Sequence, residues 1–325
     1  MGLGKNMTLT VKTPSKVILF GEHAVVDGYS AIAMAIDLKT TGEIKGNFET
    51  ITIELSDLNE IFEIAPKLIK ELDISNFSPS LKYVLCATKY AINYLIEFKG
   101  LTSITPFKLK IFSEIPVSCG LGSSASVVVT TINSISNFYG ISLKNEEVIN
   151  MAYSVEKDIQ GRASITDTAT ITLSGMIEIY AGNYKIMPKE LSEFIKTCNF
   201  LIVNVEERTR KTADLVWEVS EHPQKEELFK KIGTIIEKVK HNRSKEELGK
   251  LMVENHEILK KFGISTEKLD LVIEASKKYA HGGKLTGAGG GGSVIILLKN
   301  EKEELLKELK KIGVTGTFEC KMTNF

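Results

Sequence analysis

Pro116-Val-Ser-Cys-Gly-Leu-Gly-Ser-Ser-Ala-Ser126 lies between an extended segment and a long apolar run, and its reading decides the fold. Two glycines let the backbone approach a ligand closely, and the serines after them can open a helix whose first N–H groups have no intrahelical partner. Such an end attracts anions. No Asp or Glu occurs between Glu114 and Glu146, so a bound polyphosphate meets no repulsion from the flanking sequence. The stretch therefore reads as a phosphate cradle. Gly120-Leu-Gly-Ser-Ser-Ala125 also satisfies G-x-G-x-x-A, but a dinucleotide site needs an acid about twenty residues on to hold a ribose. That window is acid-free, and Pro116 spoils the tight strand-to-helix turn. A Walker A loop would need Gly-Lys-Ser/Thr, which is absent. The plain alternative is a small-residue turn that lets a helix pack closely.

Outward from this stretch, Leu9–Phe20, Ala31–Ile36 and Thr40–Leu55 have strand texture, as does Phe107–Phe112. Apolar residues recur at helical spacing over Pro79–Phe98, with Gly100 as a stop. Ala125–Phe138 reads as a buried helix despite its β-branched residues, and Glu146–Gln160 as another with Asn145 as N-cap and Gly161 at its end. Thr170–Ile186 reads as hairpin-like. Beyond Pro188 the chain turns helical and lysine-glutamate rich, which marks a domain boundary. There a strand over Phe200–Val205 precedes helices near Thr212–Ser220, Lys225–Val239, Ser244–Lys261 and Thr266–Tyr279. A glycine run, the strand Ser293–Leu298, a helix over Glu301–Lys311 and a strand near Thr317–Met322 complete the pattern. Strands mixed with helices in both halves imply two α+β layers with a cleft between them.

The bulk composition excludes several partner classes. Lys and Arg number 41 against 41 Asp and Glu, so no net charge advertises nucleic acid or an anionic membrane. Cys86, Cys119, Cys198 and Cys320 show no C-x-x-C spacing, which argues against a zinc site or disulfide framework and for a reducing compartment. No apolar run reaches membrane-spanning length, and the first residues lack a signal-peptide core; a cytoplasmic location is expected. Only four of the basic residues are arginines, and Arg162, Arg208 and Arg210 fall in polar segments, where their planar forks suit carboxylate or phosphate.

Three further segments carry chemistry. Lys284-Leu-Thr-Gly-Ala-Gly-Gly-Gly-Gly292 precedes a strand instead of opening a helix, so its glycines suggest backbone pressed against a ligand or a facing domain. In Pro14–Gly28, Lys16 heads an apolar strand and Glu22-His23 lies beyond its end; Lys16 is either a snorkelling edge residue or a fixed positive charge. In Glu156–Asp167, Glu156 lies near a helix end where the dipole disfavours a carboxylate, which a divalent cation would compensate. Asp167 sits in a Ser/Thr-rich turn.

In this order the four segments resemble the GHMP kinases, a small-molecule kinase family named for galactose, homoserine, mevalonate and phosphomevalonate. The resemblance spans roughly Lys12 to Leu298. The family's P-x-x-x-G-L-G-S-S-A is complete at Pro116–Ala125, and Lys-Leu-Thr-Gly-Ala-Gly-Gly-Gly is similar to its C-terminal glycine loop. Gly21-Glu-His-Ala-Val-Val-Asp-Gly28 looks most like the members that phosphorylate mevalonate.

The resemblance implies an α+β, two-domain fold: an N-terminal α/β nucleotide-binding domain over 1–188, a C-terminal ferredoxin-like domain over 189–325, and the active site in the cleft between them. It implies ATP as co-substrate, Mg²⁺, and transfer to the primary 5-hydroxyl of mevalonate, with no nucleic acid or membrane partner and a homodimer as a compatible assembly. Pro116, Ser118, Gly120, Leu121, Gly122, Ser123, Ser124, Ala125 and Ser126 would hold the ATP phosphates, with Ser124 and Glu156 on the metal. Asp167 matches the catalytic aspartate and Lys16 its partnering lysine. Glu22, His23 and Thr212 would contact the acceptor, and Arg162 would lie close by. Ser15, Gln160, Ala163 and Ile165 depart from the family pattern around the acceptor, not around the cradle. Two other readings stay open: a phosphomevalonate-using or related member with a basic pocket at Arg208, Arg210 and Lys211, and a nucleotide or ligand sensor without catalysis.

Overall fold

A computed structural model describes residues 7–115, 119–161, 163–299, 301–314 and 316–323. Pro116, Val117, Ser118 and Arg162, all singled out above, lie outside the described residues. The first half of the chain runs β1 (Leu9–Phe20), β2 (Ala31–Lys45), β3 (Ile51–Leu55), β4 (Glu60–Ile64), α1 (Pro79–Lys99) and β5 (Lys108–Ser113). Next come α2 (Ser123–Phe138), α3 (Asn145–Gln160), α4 (Ile165–Leu173) and the hairpin β6 (Met176–Tyr180) and β7 (Asn183–Ile186). The rest is α5 (Lys189–Lys196), β8 (Phe200–Glu206), α6 (Thr212–Ser220), α7 (Lys225–His241), α8 (Lys245–Lys261) and α9 (Glu267–Ser276). It closes with β9 (Ala280–Thr286), β10 (Gly292–Leu298), α10 (Lys302–Lys311) and β11 (Gly316–Cys320).

Two compact units interleave along the sequence. The first comprises Met1–Ser15, Leu38–Pro116 and Gly122–Leu173; the second comprises Lys16–Asp37, Val117–Leu121 and Ser174–Phe325.

In the first unit, Thr40–Lys45 of β2 pairs antiparallel with β5, β5 pairs parallel with β3, and β3 pairs antiparallel with β4. Alternation puts Leu109 and Ile111 of β5 inward while Lys110 and Phe112 face out. These residues join Ile44, Ile51 and Ile53 in a core closed by Leu85, Ile92 and Leu95 of α1 and Val128, Ile132 and Ile135 of α2. Helix α1 starts where the Ser78 hydroxyl accepts the Leu81 N–H at 3.2 Å, with Pro79 just inside, and stops at Gly100 in the left-handed region. Helix α2 tolerates its β-branched residues partly because the Thr130 and Thr131 hydroxyls donate back to the carbonyls of Ser126 and Val127.

Local chemistry moves two expected boundaries. Asn145 is the first residue of α3, not its cap: the Glu147 carboxylate reaches back to the Lys144 N–H at 2.7 Å. Thr170–Leu173 belongs to α4 and not to a hairpin, since the Thr170 hydroxyl donates to the Thr166 carbonyl; the hairpin starts at Met176. Asp167 therefore sits in the first turn of a helix, not in an irregular turn.

In the second unit, the strand order β11-β8-β10-β9, antiparallel throughout, is the 4-1-3-2 order of a ferredoxin-like β-α-β-β-α-β sheet with its first crossover expanded to hold α6 to α9. The same unit holds Ala31–Met34 of β2 paired with β6, and β6 paired with β7. Residues 16–37 are fastened to the sheet's surroundings by an Ile36–Met322 bridge and by the Thr286 hydroxyl, which donates to the Ile18 carbonyl at 3.0 Å. Tyr29 packs on Phe229, and Phe229 on Phe262. Among the described residues no helix is long and apolar enough to cross a membrane.

Helix α8 crosses β9 on two glycines. A Cβ on Gly249 would lie 2.2 Å from the His281 carbonyl oxygen, and one on Gly282 would lie 2.1 Å from the Gly249 oxygen, so neither position has room for a side chain. Gly249→Ala should therefore cost about 1–3 kcal/mol through overpacking, read as a lower urea midpoint at unchanged slope. An unchanged midpoint would show that this crossing yields freely.

Candidate active site

In the second unit, β1 carries Lys16 to the base of a polar turn. Lys16 is buried, its N–H bonds the Leu121 carbonyl at 3.0 Å, and its ammonium donates to the Gly120 carbonyl at 3.2 Å. Gly21 follows β1 at φ 93°, where a Cβ would strike Ser30 and Ala31 at 2.5 Å; only glycine lets the chain turn here. Glu22 is 1% exposed and is ion-paired with Lys284, which is 0% exposed and also donates to the Leu285 carbonyl at 2.6 Å. Burial raises the Glu22 carboxyl and lowers the Lys284 ammonium, while the attraction of the pair opposes both shifts. Lys284 takes Glu22 Oε1; Oε2 is buried without a hydrogen-bond partner among the described residues.

His23 is the centre of a three-residue turn closed by the Ala24 N–H on the Glu22 carbonyl at 2.7 Å. Its φ of 63° and ψ of −46° are the positive-φ form of the γ-turn, which is rare and strained. What holds it there is the Ala288 carbonyl, 2.9 Å from Nε2. A carbonyl can only accept, so Nε2 carries the proton, and burial lowers the ring's pKa, with the positive Arg208 and Lys284 adding to the effect. Neutral His23 then presents a bare Nδ1, buried and unpartnered among the described residues. The turn thus offers two buried acceptors, Glu22 Oε2 and His23 Nδ1, suited to the hydroxyl donors of a small polar ligand.

The C-terminal glycine motif lies in the same unit, and the Ser293 hydroxyl donates to the Cys119 carbonyl at 3.1 Å. Arg208 donates to the Thr212 hydroxyl at 3.0 Å at the start of α6, whereas Arg210 is ion-paired with Glu218. Lys284 is a site residue whose role its own motif does not reveal. Its position ahead of the glycines was visible; its partner, 262 residues away, was not.

In the first unit, α2 begins after Gly122, whose φ of 74° is left-handed; among the described residues no side chain caps this end, and its first turn carries no acid. Ser126 donates its N–H to the Gly122 carbonyl, leaving the N–H groups ahead of it without intrahelical acceptors. The Ser124 hydroxyl donates to Oε1 of Glu156, which is 4% exposed, at 2.8 Å. Tyr83 adjoins the pair: burial raises its phenol pKa first and the Glu156 charge raises it further, a contact between α1 and α3 that sequence reading missed. A hydroxyl and a carboxylate are hard oxygen donors of the kind Mg²⁺ takes. Among the described residues no group of three or more His, Cys, Asp or Glu could hold a metal, so such a cation would need ligand oxygens as well. Ser126 serves the interior: its hydroxyl lies 2.9 Å from the Pro14 carbonyl and 2.9 Å from the Thr40 hydroxyl, and Thr13 donates to its carbonyl at 3.1 Å. Asp167 is half-buried in the first turn of α4, where the helix dipole favours a carboxylate.

The buried neutral His23 has a consequence for stability. Its folded pKa lies below the ordinary value near 6.5, so the unfolded chain takes up the proton first and stability falls as pH drops below about 6.5. His23→Asn should flatten that loss between about pH 6.5 and 5 by at most about 1.4 kcal/mol per pH unit, measured by urea unfolding; His256 and His281, shifted the same way, remain as common background. An identical slope in the variant would contradict a buried neutral ring.

Residues 82–175 match the family model described as GHMP kinases N terminal domain, and residues 235–315 match GHMP kinases C terminal. The mevalonate kinase of Methanocaldococcus jannaschii is 51% identical over 319 residues, spanning 97% of this chain and 100% of that protein. The mevalonate kinase of Pyrococcus furiosus is 35% identical over 331 residues, with 95% of each chain covered. The crystal structure of the Methanococcus jannaschii mevalonate kinase shares the fold at a TM-score of 0.93 and 49% identity, covering 99% of each chain. With a family model matched in each half and relatives matched over nearly their whole length, the chain belongs to the GHMP kinase family.

Proposed function

We propose that this protein is an ATP-dependent kinase that transfers the γ-phosphoryl group to the primary 5-hydroxyl of mevalonate, giving 5-phosphomevalonate for isoprenoid synthesis. The observation that carries the nucleotide half is the acid-free start of α2, which no side chain caps among the described residues and beside which Ser124 is bonded to the buried Glu156. The acceptor half is supported by relatives that are mevalonate kinases, including one 51% identical over 97% of the chain, and by the Gly21–Gly28 turn. The halves 1–188 and 189–325 serve as the nucleotide-binding and C-terminal domains on this reading. The matched models fall on either side of residue 188. Four cysteines that form no disulfide agree with a cytoplasmic enzyme, and a homodimer is part of the same reading.

Phosphoryl transfer needs positioning and charge neutralisation more than covalent help. The stretch Pro116–Ser126 would hold the ATP phosphates, Gly120, Leu121, Gly122, Ser123, Ser124 and Ala125 lying nearest them. Ser126 braces the start of the helix from behind. Ser124 and Glu156 would hold Mg²⁺ together with phosphate oxygens, and the bound cation supplies neutralisation of the phosphate charge. Glu22 Oε2 and His23 Nδ1 would accept hydrogen bonds from the acceptor's hydroxyls, with Thr212 at the edge of the same unit's site. Asp167 takes the role of the family's catalytic aspartate, holding the primary hydroxyl by its proton as the oxygen attacks, and Lys16 supplies the fixed positive charge that partners it.

A coupled ADP-release assay over mevalonate, phosphomevalonate, homoserine and galactose should show turnover with mevalonate and Mg-ATP. Failure to turn over mevalonate sinks the acceptor assignment. Asp167→Asn should lower kcat on the order of 10² or more with KM for ATP little changed. Turnover near that of the unaltered protein would remove Asp167 from the chemistry.

A further inference from the structure

Strand β9 lies at the edge of the β11-β8-β10-β9 sheet, and Leu285 on it is fully buried. A backbone N–H or carbonyl that turns away from the sheet at a buried edge must find another partner, since an orphaned one costs about as much as a lost hydrogen bond. At Leu285 two side chains supply those partners. Its N–H donates to Nδ1 of His256 on α8 at 3.4 Å, and its carbonyl accepts from the Lys284 ammonium at 2.6 Å. The same ammonium holds Oε1 of Glu22. The backbone of Leu285 thus stands between a helical histidine and the carboxylate whose other oxygen is the proposed acceptor contact.

The His256 ring is committed to one tautomer. Nδ1 accepts from Leu285, so Nε2 carries the proton and donates to Oδ1 of Asp270 on α9 at 3.1 Å. Asp270 is itself held, Oδ1 by the Ser265 hydroxyl and Oδ2 by Lys260, each at 2.7 Å. His256 is 2% exposed, and burial lowers its pKa against the pull of Asp270, with the charge of Lys284 adding to the lowering. The geometry requires that neutral form, because a second ring proton would aim Nδ1–H at the Leu285 N–H. We propose that His256, oriented by Asp270, is a positioning residue for the acceptor: it fixes the Leu285 backbone to which Lys284 is anchored and so sets the aim of the remaining Glu22 oxygen. This inference rests on the kinase reading above, and it deepens that reading by tying the acceptor contact to a helix behind the sheet edge.

Two variants separate the two sides of the ring. His256→Asn keeps an oxygen near the place of Nδ1 and gives up Asp270, whereas His256→Gln keeps an N–H near the place of Nε2 and gives up the acceptor for Leu285. Two readouts are compared with the unaltered protein: calorimetric Kd values for mevalonate and ATP, and titration of the Glu22 carboxyl by carbon-13 NMR without ligand. His256→Gln should weaken mevalonate binding about 10-fold, raising KM more than it lowers kcat and leaving the ATP Kd unchanged. It should also raise the Glu22 pKa, as the ammonium that favours the carboxylate loosens. His256→Asn should restore most of both. Asp270→Asn, a milder change that frees the ring to take the other tautomer, should shift both readouts in the direction of His256→Gln by less, and it decides the matter if His256→Gln does not fold. Unchanged mevalonate binding and an unchanged Glu22 titration overturn the inference, as do equal losses in His256→Asn and His256→Gln or an equal loss of ATP affinity, which mark a merely structural ring. Unaltered protein that does not phosphorylate mevalonate contradicts the kinase assignment alone, and the Glu22 titrations, which need no ligand, then decide the positioning role.

Discussion

The buried ion pair between Lys284 and Glu22 is the constraint on which the second unit's site depends. Each charge gives up several kcal/mol of hydration on burial, and the pair is tolerable only in close contact with further hydrogen bonds, one of which Lys284 makes to the Leu285 carbonyl. Losing either partner would strand the other charge, at roughly 3–5 kcal/mol. The pair therefore fixes the polar turn after β1 against a strand 262 residues away. Neutral bonds follow the same line: His23 on the Ala288 carbonyl, Thr286 on the Ile18 carbonyl and Ser293 on the Cys119 carbonyl. Each adds about 1 kcal/mol, and together they order the strained His23 turn and the glycine motif as one assembly.

Stability and function meet in how those bonds are spent. Lys284 occupies one oxygen of Glu22 and Ala288 one nitrogen of His23, so the remaining oxygen and nitrogen stay buried as acceptors with no partner among the described residues. Buried acceptors without partners are uncommon in folded proteins and are expected where a ligand completes them. In the first unit a different device has the same effect. A cluster of hydroxyls from Thr13, Thr40, Ser126 and Thr130 anchors the base of α2, while the N–H groups of its first turn have no intrahelical acceptor.

Periodic and capped segments were legible in the sequence because their determinants are local. Gly100 after Lys99 and Gly161 after Gln160 each act within a few residues. The ferredoxin-like sheet was named through the family resemblance; apolar strands alone do not fix a 4-1-3-2 order. The failures share a cause. Thr166–Leu173 has strand composition, yet the Thr170 hydroxyl satisfies a helical carbonyl, which put Asp167 in a helix and not in a turn. Lys284 as the counter-ion of Glu22, Tyr83 beside Glu156, and Arg210 on Glu218 all depend on contacts far apart in sequence or on a partner's side-chain direction. No spacing rule reports such contacts.

Phosphorus NMR of the reaction shows which oxygen receives the phosphate. With Mg-ATP and mevalonate, transfer to the primary hydroxyl gives a phosphate monoester resonance coupled to the C5 methylene protons, growing as the γ-phosphate of ATP disappears. ATP that stays intact, or phosphate found on the tertiary 3-hydroxyl, would contradict that transfer.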